Sequence, residues 1–133
     1  MDKQRIPEQV EDILIIGGGP AGYTAGLYAA RARMKTLMIE GESTVSQITV
    51  TDLIENYPGL PEGVNGFDLR DRFRAQADAF GMRRAAGDVT AIAPVSWGDV
   101  SGWRVTAGEA TYDTLAVIVA TGANWRRLGV PGE

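Results

Sequence analysis

Residues 12–22 read DILIIGGGPAG, an apolar run that passes directly into a glycine-rich loop. The run Ile13–Ile16 predicts a buried strand, and the loop has the G-x-G-x-x-G spacing of dinucleotide-binding folds. Gly17 permits the turn from strand to helix, Gly19 lets the backbone approach a pyrophosphate, and Gly22 lets the helix pack closely on the strand. The N-terminus of that helix presents N–H groups and a positive dipole end to phosphates. The stretch therefore predicts a phosphate-binding turn.

An acidic residue follows at the distance that this motif requires. Thr36–Ile39 predicts the second strand, and Glu40 comes directly after it, eighteen residues beyond Gly22. A carboxylate in that place can accept hydrogen bonds from the ribose hydroxyls of an adenosine. Because strand, loop, helix and acid occur in the order that is typical of dinucleotide-binding motifs, the sequence predicts an adenine dinucleotide site.

Length and charge limit the kinds of protein that this chain can be. The 133 residues suffice for one domain, and a net charge of −4 does not provide the positive surface that binds nucleic acid. Residues 1–11 are predicted to be a polar tail without a signal peptide, and no apolar run is long enough to cross a bilayer. We therefore expect a cytoplasmic protein without nucleic-acid or membrane partners.

The sequence contains no cysteine and no histidine. This composition excludes thiolate metal sites and cysteine redox steps within these residues, and it removes the commonest general base. We therefore predict no metal site and no catalytic side chain. Any redox chemistry must reside in a bound cofactor.

The middle of the chain predicts a long connection and then a helix. Gly41–Gly66 is rich in turn residues, and Asn65 with Gly66 predicts the start of the next helix, which Gly81 ends. The helical spacing predicts one buried stripe, made of Leu69, Phe73, Ala77 and Phe80. It directs four charged residues to water, namely Arg70, Asp71, Arg74 and Asp78. The basic pairs in residues 31–33 and 83–84 are interpreted as solvated faces.

The last third of the chain predicts a small antiparallel meander. Its strands are Val89–Ala93, Trp103–Thr106 and Ala110–Tyr112, and Trp97 and Trp103 are expected to cover its apolar face. Leu115–Ala120 predicts a further buried strand of the parallel type. Ligands lie outside the carboxyl ends of such strands, so three residues are expected beside the cofactor: Ala120, Thr121 and Gly122. These elements together predict an α/β fold.

Several segments together resemble the low-molecular-weight thioredoxin reductases. The resemblance is carried by Gly17–Gly22, Glu40, Ile54–Gly59 (IENYPG), Ala120–Ala123 and Leu128–Glu133. It implies a Rossmann-like FAD-binding domain of a two-dinucleotide-binding flavoprotein, with a parallel sheet, helices and a small antiparallel meander. Members of this family are FAD-containing homodimers that pass electrons from NADPH through the flavin to a cysteine pair and on to thioredoxin.

The resemblance also implies roles for individual residues. It places the FAD pyrophosphate against Gly17, Gly19, Pro20 and Ala21, and Gly22 is counted with them among the cofactor-binding residues. It places the adenosine ribose at Glu40 and the adenine against the backbone of Val89. By the same resemblance, Gln47 and Asn56 approach the flavin and its ribityl chain, and Ala120 and Thr121 cross near the cofactor.

Two departures from the family pattern carry expectations of their own. Val45 and Ser46 stand where the family has Gly-Gly, so a β-branched side chain is expected to shift the loop on the flavin side. The sequence also ends before the family's NADPH domain and its Cys-x-x-Cys pair. The resemblance thus divides the chain into a tail (1–11), a first FAD-binding segment (12–124) and the start of a linker (125–133).

This division implies that the chain is incomplete relative to the family. We expect no thioredoxin reductase activity from it alone. We also expect an apolar patch on the sheet, covered by self-association into a homodimer or by a complementing chain.

Two other interpretations remain open at this point. One is a stand-alone module, natural or engineered, that binds a nucleotide or a partner without redox turnover. The other is half of an NAD-dependent dehydrogenase, against which the predicted meander argues, since it replaces a crossover helix. Retention of flavin separates the first alternative from a flavoprotein, and the identity of the nucleotide separates the second.

Overall fold

The computed structural model describes residues 6–43 and 45–132. Part of the predicted tail, residues 1–5, and the last residue of the predicted linker lie outside them. Within the described residues the elements are β1 (Glu11–Ile16), α1 (Pro20–Arg31), β2 (Thr36–Glu40), α2 (Gly66–Ala79), β3 (Arg83–Ala86), β4 (Val89–Trp97), β5 (Val100–Ala107) and β6 (Ala110–Val119). A 3-10 turn spans Gln47–Val50.

The strands form one sheet in the order β3-β2-β1-β6-β5-β4. Strand β1 lies parallel to both β2 and β6, and β3 lies parallel to β2. Strands β4, β5 and β6 form an antiparallel meander. The α/β class, the parallel sheet and the meander predicted from the sequence are thereby confirmed.

Strand β6 belongs to both parts of the sheet. The sequence predicted two strands here, Ala110–Tyr112 and Leu115–Ala120, but the structure has one continuous strand. Its first half pairs antiparallel with β5, through Thr111 opposite Thr106, and its second half pairs parallel with β1, through Val119 opposite Ile16. The separation was wrong because Asp113 and Thr114 interrupt the apolar pattern without interrupting the strand.

The basic pair at residues 83–84 is not simply a solvated face. Arg83 and Arg84 lie in β3, parallel to β2, opposite Leu37 and Met38. The Arg83 guanidinium pairs with the carboxylate of Glu11, a residue of β1 that is buried. Sequence patterning missed this strand because its residues have low β-propensity, and the partners that stabilise it lie far away in the chain.

The core has two layers, one on each face of the sheet. Ile15 and Met38 face the helices, where they meet Tyr23 and Ala77. Leu14, Ile16, Leu37 and Ile39 point to the other face, where Val105 and Ala107 of β5 join them. This alternation along β1 and β2 follows the two-residue period of strands, and it fixes the register of the sheet.

The two helices end in the same backbone motif with different residues. After α1, the N–H of Arg33 donates to the carbonyl of Ala30, and the N–H of Met34 donates to that of Ala29. After α2, Gly81 and Met82 make the equivalent bonds to Asp78 and Ala77. Arg33 has a φ of 62° and Gly81 a φ of 89°, the left-handed conformation that this motif requires. The predicted helix end at Gly81 is confirmed.

Helix α2 begins as predicted, but its faces differ from the prediction. Asn65 caps it by accepting a 2.9 Å hydrogen bond from the N–H of Phe67. Leu69 and Ala77 are buried and Phe73 is half-buried, whereas Phe80 is 47% exposed, because it lies past the last helical residue. Of the four charged residues assigned to water, Asp71 is exposed and the other three are half-buried.

The long connection before α2 is tied down at several points. The 3-10 turn packs so closely on the start of α2 that a Cβ on Gly66 would overlap the carbonyl of Ile48. Ile54 and Val64 form a bridge through two backbone hydrogen bonds of 2.8 and 3.1 Å. The segment therefore has defined structure on both flanks.

Two residues of the inner strands β5 and β6 are more exposed than the sequence predicted. Val119 is 66% exposed, although its strand was predicted to be buried, and Trp103, which was expected to cover the apolar face of the meander, is 42% exposed. Trp97 does pack over Gly102, with a ring carbon 2.7 Å from where a Cβ would stand. Val119 is exposed because it lines the cleft described below. None of the described helices is long and apolar enough to cross a membrane.

Candidate nucleotide-binding site

A cleft of about 880 Å³ opens at the carboxyl ends of β1, β2 and β6. Its volume lies within the range of small-molecule sites. The cleft brings together most of the residues predicted to hold the cofactor: Gly17, Gly19, Pro20, Ala21, Glu40, Gln47, Val89, Ala120, Thr121 and Gly122. Gly22 and Asn56 do not line it.

Close backbone contacts explain why positions 17 and 22 require glycine. Gly17 has a φ of 113°, and a Cβ there would overlap the carbonyl oxygen of Ala120. A Cβ on Gly22 would overlap the carbonyl oxygen of Gly17, so Gly22 serves the packing of helix on strand rather than the wall of the cleft. The N–H of Gly17 donates to Ile39 at 2.9 Å, which joins the loop to β2.

The next two glycines leave room inside the cleft. At Gly18 a Cβ would stand 2.8 Å from the Cγ and Oε1 atoms of Glu40, so a side chain there would displace that carboxylate. At Gly19 the nearest atom to a Cβ is the Ser46 hydroxyl, at 3.5 Å. The sequence motif treats Gly18 as a free position, so its role was missed. The three consecutive glycines were the available signal.

Helix α1 points its N-terminus into this space. Gly19 is the N-cap and no side chain caps the helix there, while Pro20 occupies the first turn. The first N–H groups of a helix have no partner within it and carry a partial positive charge. The open cradle at Gly19 and these N–H groups suit a pyrophosphate.

Glu40 lies at the centre of a side-chain network at one end of the cleft. The Tyr23 hydroxyl donates a hydrogen bond to Oε1 of Glu40. On the other carboxylate oxygen, Oε2, the guanidinium nitrogens of Arg70 and Arg84 lie at 3.7 and 3.9 Å. We call these four residues, Tyr23, Glu40, Arg70 and Arg84, the Glu40 end of the cleft; Glu40 and Arg70 line the cleft, and Tyr23 and Arg84 contact Glu40 from behind it.

Burial of the tyrosine shapes this network. Tyr23 is 1% exposed, and burial, followed by its hydrogen bond to Glu40, raises the pKa of Tyr23 to about 12. The hydroxyl therefore stays protonated at neutral pH and donates to the carboxylate. The Arg70 guanidinium carbon lies 6.0 Å from the centre of the Tyr23 ring, within the range of a cation–π contact.

Arg84 is anchored mainly elsewhere. Its Nε and terminal nitrogen donate to the two carboxylate oxygens of Asp78 at 3.1 and 3.0 Å. This hydrogen bonding to Asp78, together with the Coulombic attraction of Asp78 and Glu40, raises the pKa of Arg84. Asp78 therefore holds a cation beside Glu40, contrary to its predicted place in solvent.

A second part of the cleft lining is formed by Val45, Ser46, Gln47 and Ala123, and we call it the Gln47 end. The Gln47 side-chain amide donates to the carbonyl of Ala123. Among the described residues, Arg33 is the only non-glycine residue with a positive φ, so Val45 and Ser46 adopt ordinary backbone conformations. Val45 is 69% exposed at the rim. Asn56 lies in an exposed segment outside the cleft lining.

A third part of the rim is closed by Asp88. Its Oδ1 accepts hydrogen bonds from the N–H groups of Glu42 and Ser43, at 3.0 and 3.2 Å. The hydrogen bonds from Ser43, ahead of that from Glu42, lower the pKa of Asp88. The carboxylate thus fixes the turn after β2 against Val89, which lines the same wall.

A glycine turn at the switch from strand to helix, with an acid at the end of the second strand, defines the Rossmann class of dinucleotide-binding domains. Residues 11–133 match the pyridine nucleotide-disulphide oxidoreductase family, and the chain belongs to it. Similar curated proteins are thioredoxin reductases: that of Mycolicibacterium smegmatis is 44% identical over 129 residues, and that of Treponema pallidum is 39% identical over 122 residues. These alignments cover 95% and 92% of this chain.

Solved structures agree with the sequence relatives. The thioredoxin reductase of Streptococcus pyogenes superposes with a TM-score of 0.82 at 39% identity, and covers 95% of this chain. That of Lactococcus lactis gives a TM-score of 0.81 at 39% identity and covers 92%. The chain spans 39% and 38% of the length of the two curated relatives, and 40% and 39% of the two solved chains.

The comparisons establish a thioredoxin-reductase-like FAD-binding segment. The family and its thioredoxin reductases are FAD-dependent. The stand-alone module without a flavin is not favoured by these relatives. The described residues contain no group of three or more acidic side chains, cysteines or histidines placed to hold a metal ion.

Proposed function

We propose that the chain binds FAD in the cleft, with the pyrophosphate on the glycine loop and the adenosine ribose at Glu40. The single observation that carries this proposal is the joint position of Gly18 and Glu40, where the missing side chain leaves the carboxylate free to line the cleft. Bound FAD would supply hydride transfer, a chemistry that these side chains do not provide.

The chain's own residues bind and orient in this proposal. The loop from Gly17 to Ala21 offers backbone N–H groups to the pyrophosphate, and Val89 offers backbone to the adenine. Gln47 is already fixed by its bond to Ala123, at the end where the flavin is expected. Asn56 stays a prediction that rests on the resemblance, since it lies outside the cleft lining.

We propose that the activity of the whole protein is electron transfer from NADPH through FAD to a disulfide. Support comes from the relatives, each named a thioredoxin reductase. The 133 residues contain no cysteine, so we expect them to show no NADPH-dependent reduction of thioredoxin by themselves. Measurable reduction by the purified chain would overturn that expectation.

Partner and location are proposed on the same basis. Thioredoxin reductases are homodimers, and we propose self-association of this chain or pairing with a complementing chain. The exposed apolar side chains of Trp103 and Trp125 support a surface covered by a partner. A monomer by light scattering would contradict self-association. The cytoplasmic location and the division into residues 1–11, 12–124 and 125–133 stay predictions.

The first test is the visible absorption spectrum of the purified chain, with identification of any nucleotide released on denaturation. We expect a flavin band and about one FAD per chain, since the cleft has the size of a ligand site. The variant Gly18→Val should be colourless, because its side chain displaces the Glu40 carboxylate. Ala75→Val, on the exposed side of α2, is the matched control and should retain flavin. A colourless wild-type chain that takes up no added FAD contradicts the proposal.

A further inference from the structure

Arg70 joins the two parts of the candidate site. Its Nε donates to the carbonyl oxygen of Gly18 at 3.4 Å, and its terminal nitrogen lies 3.7 Å from Oε2 of Glu40. One guanidinium on α2 therefore contacts both the glycine loop and the acid at the end of β2. The planar fork of arginine, with several donors in fixed directions, suits such a double contact.

Tyr23 holds the other oxygen of the same carboxylate. Its hydroxyl donates to Oε1, while Arg70 and Arg84 lie nearest to Oε2. A carboxylate has about four lone-pair directions. The Tyr23 hydrogen bond occupies one of them, and Arg70 and Arg84 lie at ion-pair distance, so directions remain for ribose hydroxyl donors. A carboxylate held on both oxygens has one orientation, and a ligand need not pay the entropy of fixing it.

We propose that Tyr23 and Arg70 are positioning residues that fix the Glu40 carboxylate for recognition of the adenosine 2′-hydroxyl. This inference rests on the proposed function, since it requires an adenosine at the Glu40 end. It goes further by assigning roles to two side chains that the glycine motif does not include. Arg70, on a helix far along the chain, thereby becomes part of the specificity of the nucleotide site.

The contacts distinguish these two residues from their neighbours. Tyr28 lies on the same helix as Tyr23 but is 64% exposed. Arg74 lies one turn after Arg70 on α2 and does not line the cleft. Tyr28→Phe and Arg74→Met are therefore matched controls for Tyr23→Phe and Arg70→Met.

The experiment compares ADP with 2′-deoxy-ADP by titration calorimetry, using the full chain. ADP probes the glycine loop and the Glu40 end without requiring any contact to a flavin. The readout is the ratio of the two Kd values, which isolates the 2′-hydroxyl from general effects on charge or folding. Glu40→Ala gives the value of this ratio when the carboxylate is absent.

We expect the wild-type chain to bind ADP about tenfold more tightly than 2′-deoxy-ADP, the size of a hydrogen bond to a charged group. Arg70→Met and Tyr23→Phe should bring the ratio close to that of Glu40→Ala. The two control variants should keep the wild-type ratio. Thermal unfolding of each variant checks that it folds, and Arg70→Met carries the conclusion if Tyr23→Phe does not fold.

Three results would overturn the inference. If the wild-type chain binds ADP but the two variants keep the wild-type ratio, the inference is wrong while the proposed function stands. If they weaken both nucleotides equally, the two residues act on charge or fold and not on the 2′-hydroxyl. If the wild-type chain binds neither nucleotide, the proposed function and the inference are both wrong.

Discussion

The Glu40 end of the cleft draws its side chains from α1, β2, α2 and β3, which hold one carboxylate between a tyrosine and two arginines. The Gln47 end is joined instead by a side-chain bond from Gln47 to the backbone of Ala123, and Val45 beside it is 69% exposed. A site held from several elements keeps its geometry before a ligand arrives. The contrast indicates that this chain holds the Glu40 end, where we propose that the adenosine ribose binds, more firmly than the Gln47 end.

The largest expected effect comes from breaking the glycine loop on which both ends depend. Gly17→Ala should destabilise the chain by about 3 kcal/mol or more, because the residue has a positive φ and its Cβ would overlap the carbonyl of Ala120. Gly108→Ala is the matched control: its φ is also positive, at 58°, but nothing lies within 4 Å of its Cβ. It should cost about 1 kcal/mol.

Urea unfolding of the two variants measures this difference. A Gly17→Ala variant no less stable than Gly108→Ala would show that the close approach of the loop to Ala120 does not exist in solution. The glycine loop would then not hold the two ends of the cleft in the positions described here.

The next effect separates the two ends directly. Glu40→Ala should weaken ADP and FAD alike, by about tenfold, because both ligands carry the adenosine ribose. Gln47→Ala should leave ADP binding unchanged and weaken FAD alone, because we propose that the amide faces the flavin part of FAD, which ADP lacks. Calorimetry for ADP and flavin fluorescence for FAD measure the four affinities. Equal loss of ADP binding in the two variants would contradict the division of the cleft.

The smallest effect is a dependence of stability on alkaline pH, confined to the Glu40 end. The pKa of Tyr23 is raised to about 12 from an ordinary value of 10.0, so the folded chain favours the protonated hydroxyl. The stabilising contribution is full below about pH 10 and is lost as the pH rises towards 12. The hydrogen bond to Glu40 involved is worth about 1 kcal/mol.

Thermal unfolding from pH 9 to 12 measures this loss, with Tyr23→Phe as the variant that lacks the hydroxyl. The wild-type chain should be more stable than Tyr23→Phe at pH 9, and this difference in stability should disappear as the pH rises to 12. Tyr28→Phe, at an exposed tyrosine, should follow the wild-type curve. A constant difference between wild type and Tyr23→Phe would show that the tyrosine does not ionise with unfolding.

The sequence predicted the parts of the site whose chemistry is local. The turn at Gly17, the acid at Glu40 and the cap at Asn65 each follow from a few neighbouring residues, and the structure has them in place. Arg70 was assigned to solvent because a helical pattern places charged residues on the face opposite the apolar stripe. Its actual surroundings depend on Gly18 and Tyr23, which only the fold brings near it.

The meander shows the same division between local and distant causes. Its short strands were predicted from sequence, but the continuity of β6 was not. That continuity depends on pairing with β1, whose residues lie at the other end of the chain. Strand β3 was missed for a related reason, because Glu11 and Asp78 stabilise it from outside the segment.

The shared strand β6 also implies an order of folding. Its antiparallel half pairs with β5 across a short turn, Ala107 opposite Ala110, whereas Thr114 meets Glu11 across 103 residues of chain. Closing the longer loop costs more entropy and slows the step that requires it. We expect the meander to form first and to dock on β1 late, so that pulse-labelled amides of Val105 become protected before those of Ile15. The cleft, which needs the end of β6 beside the glycine loop, would then be completed in the slowest step of folding.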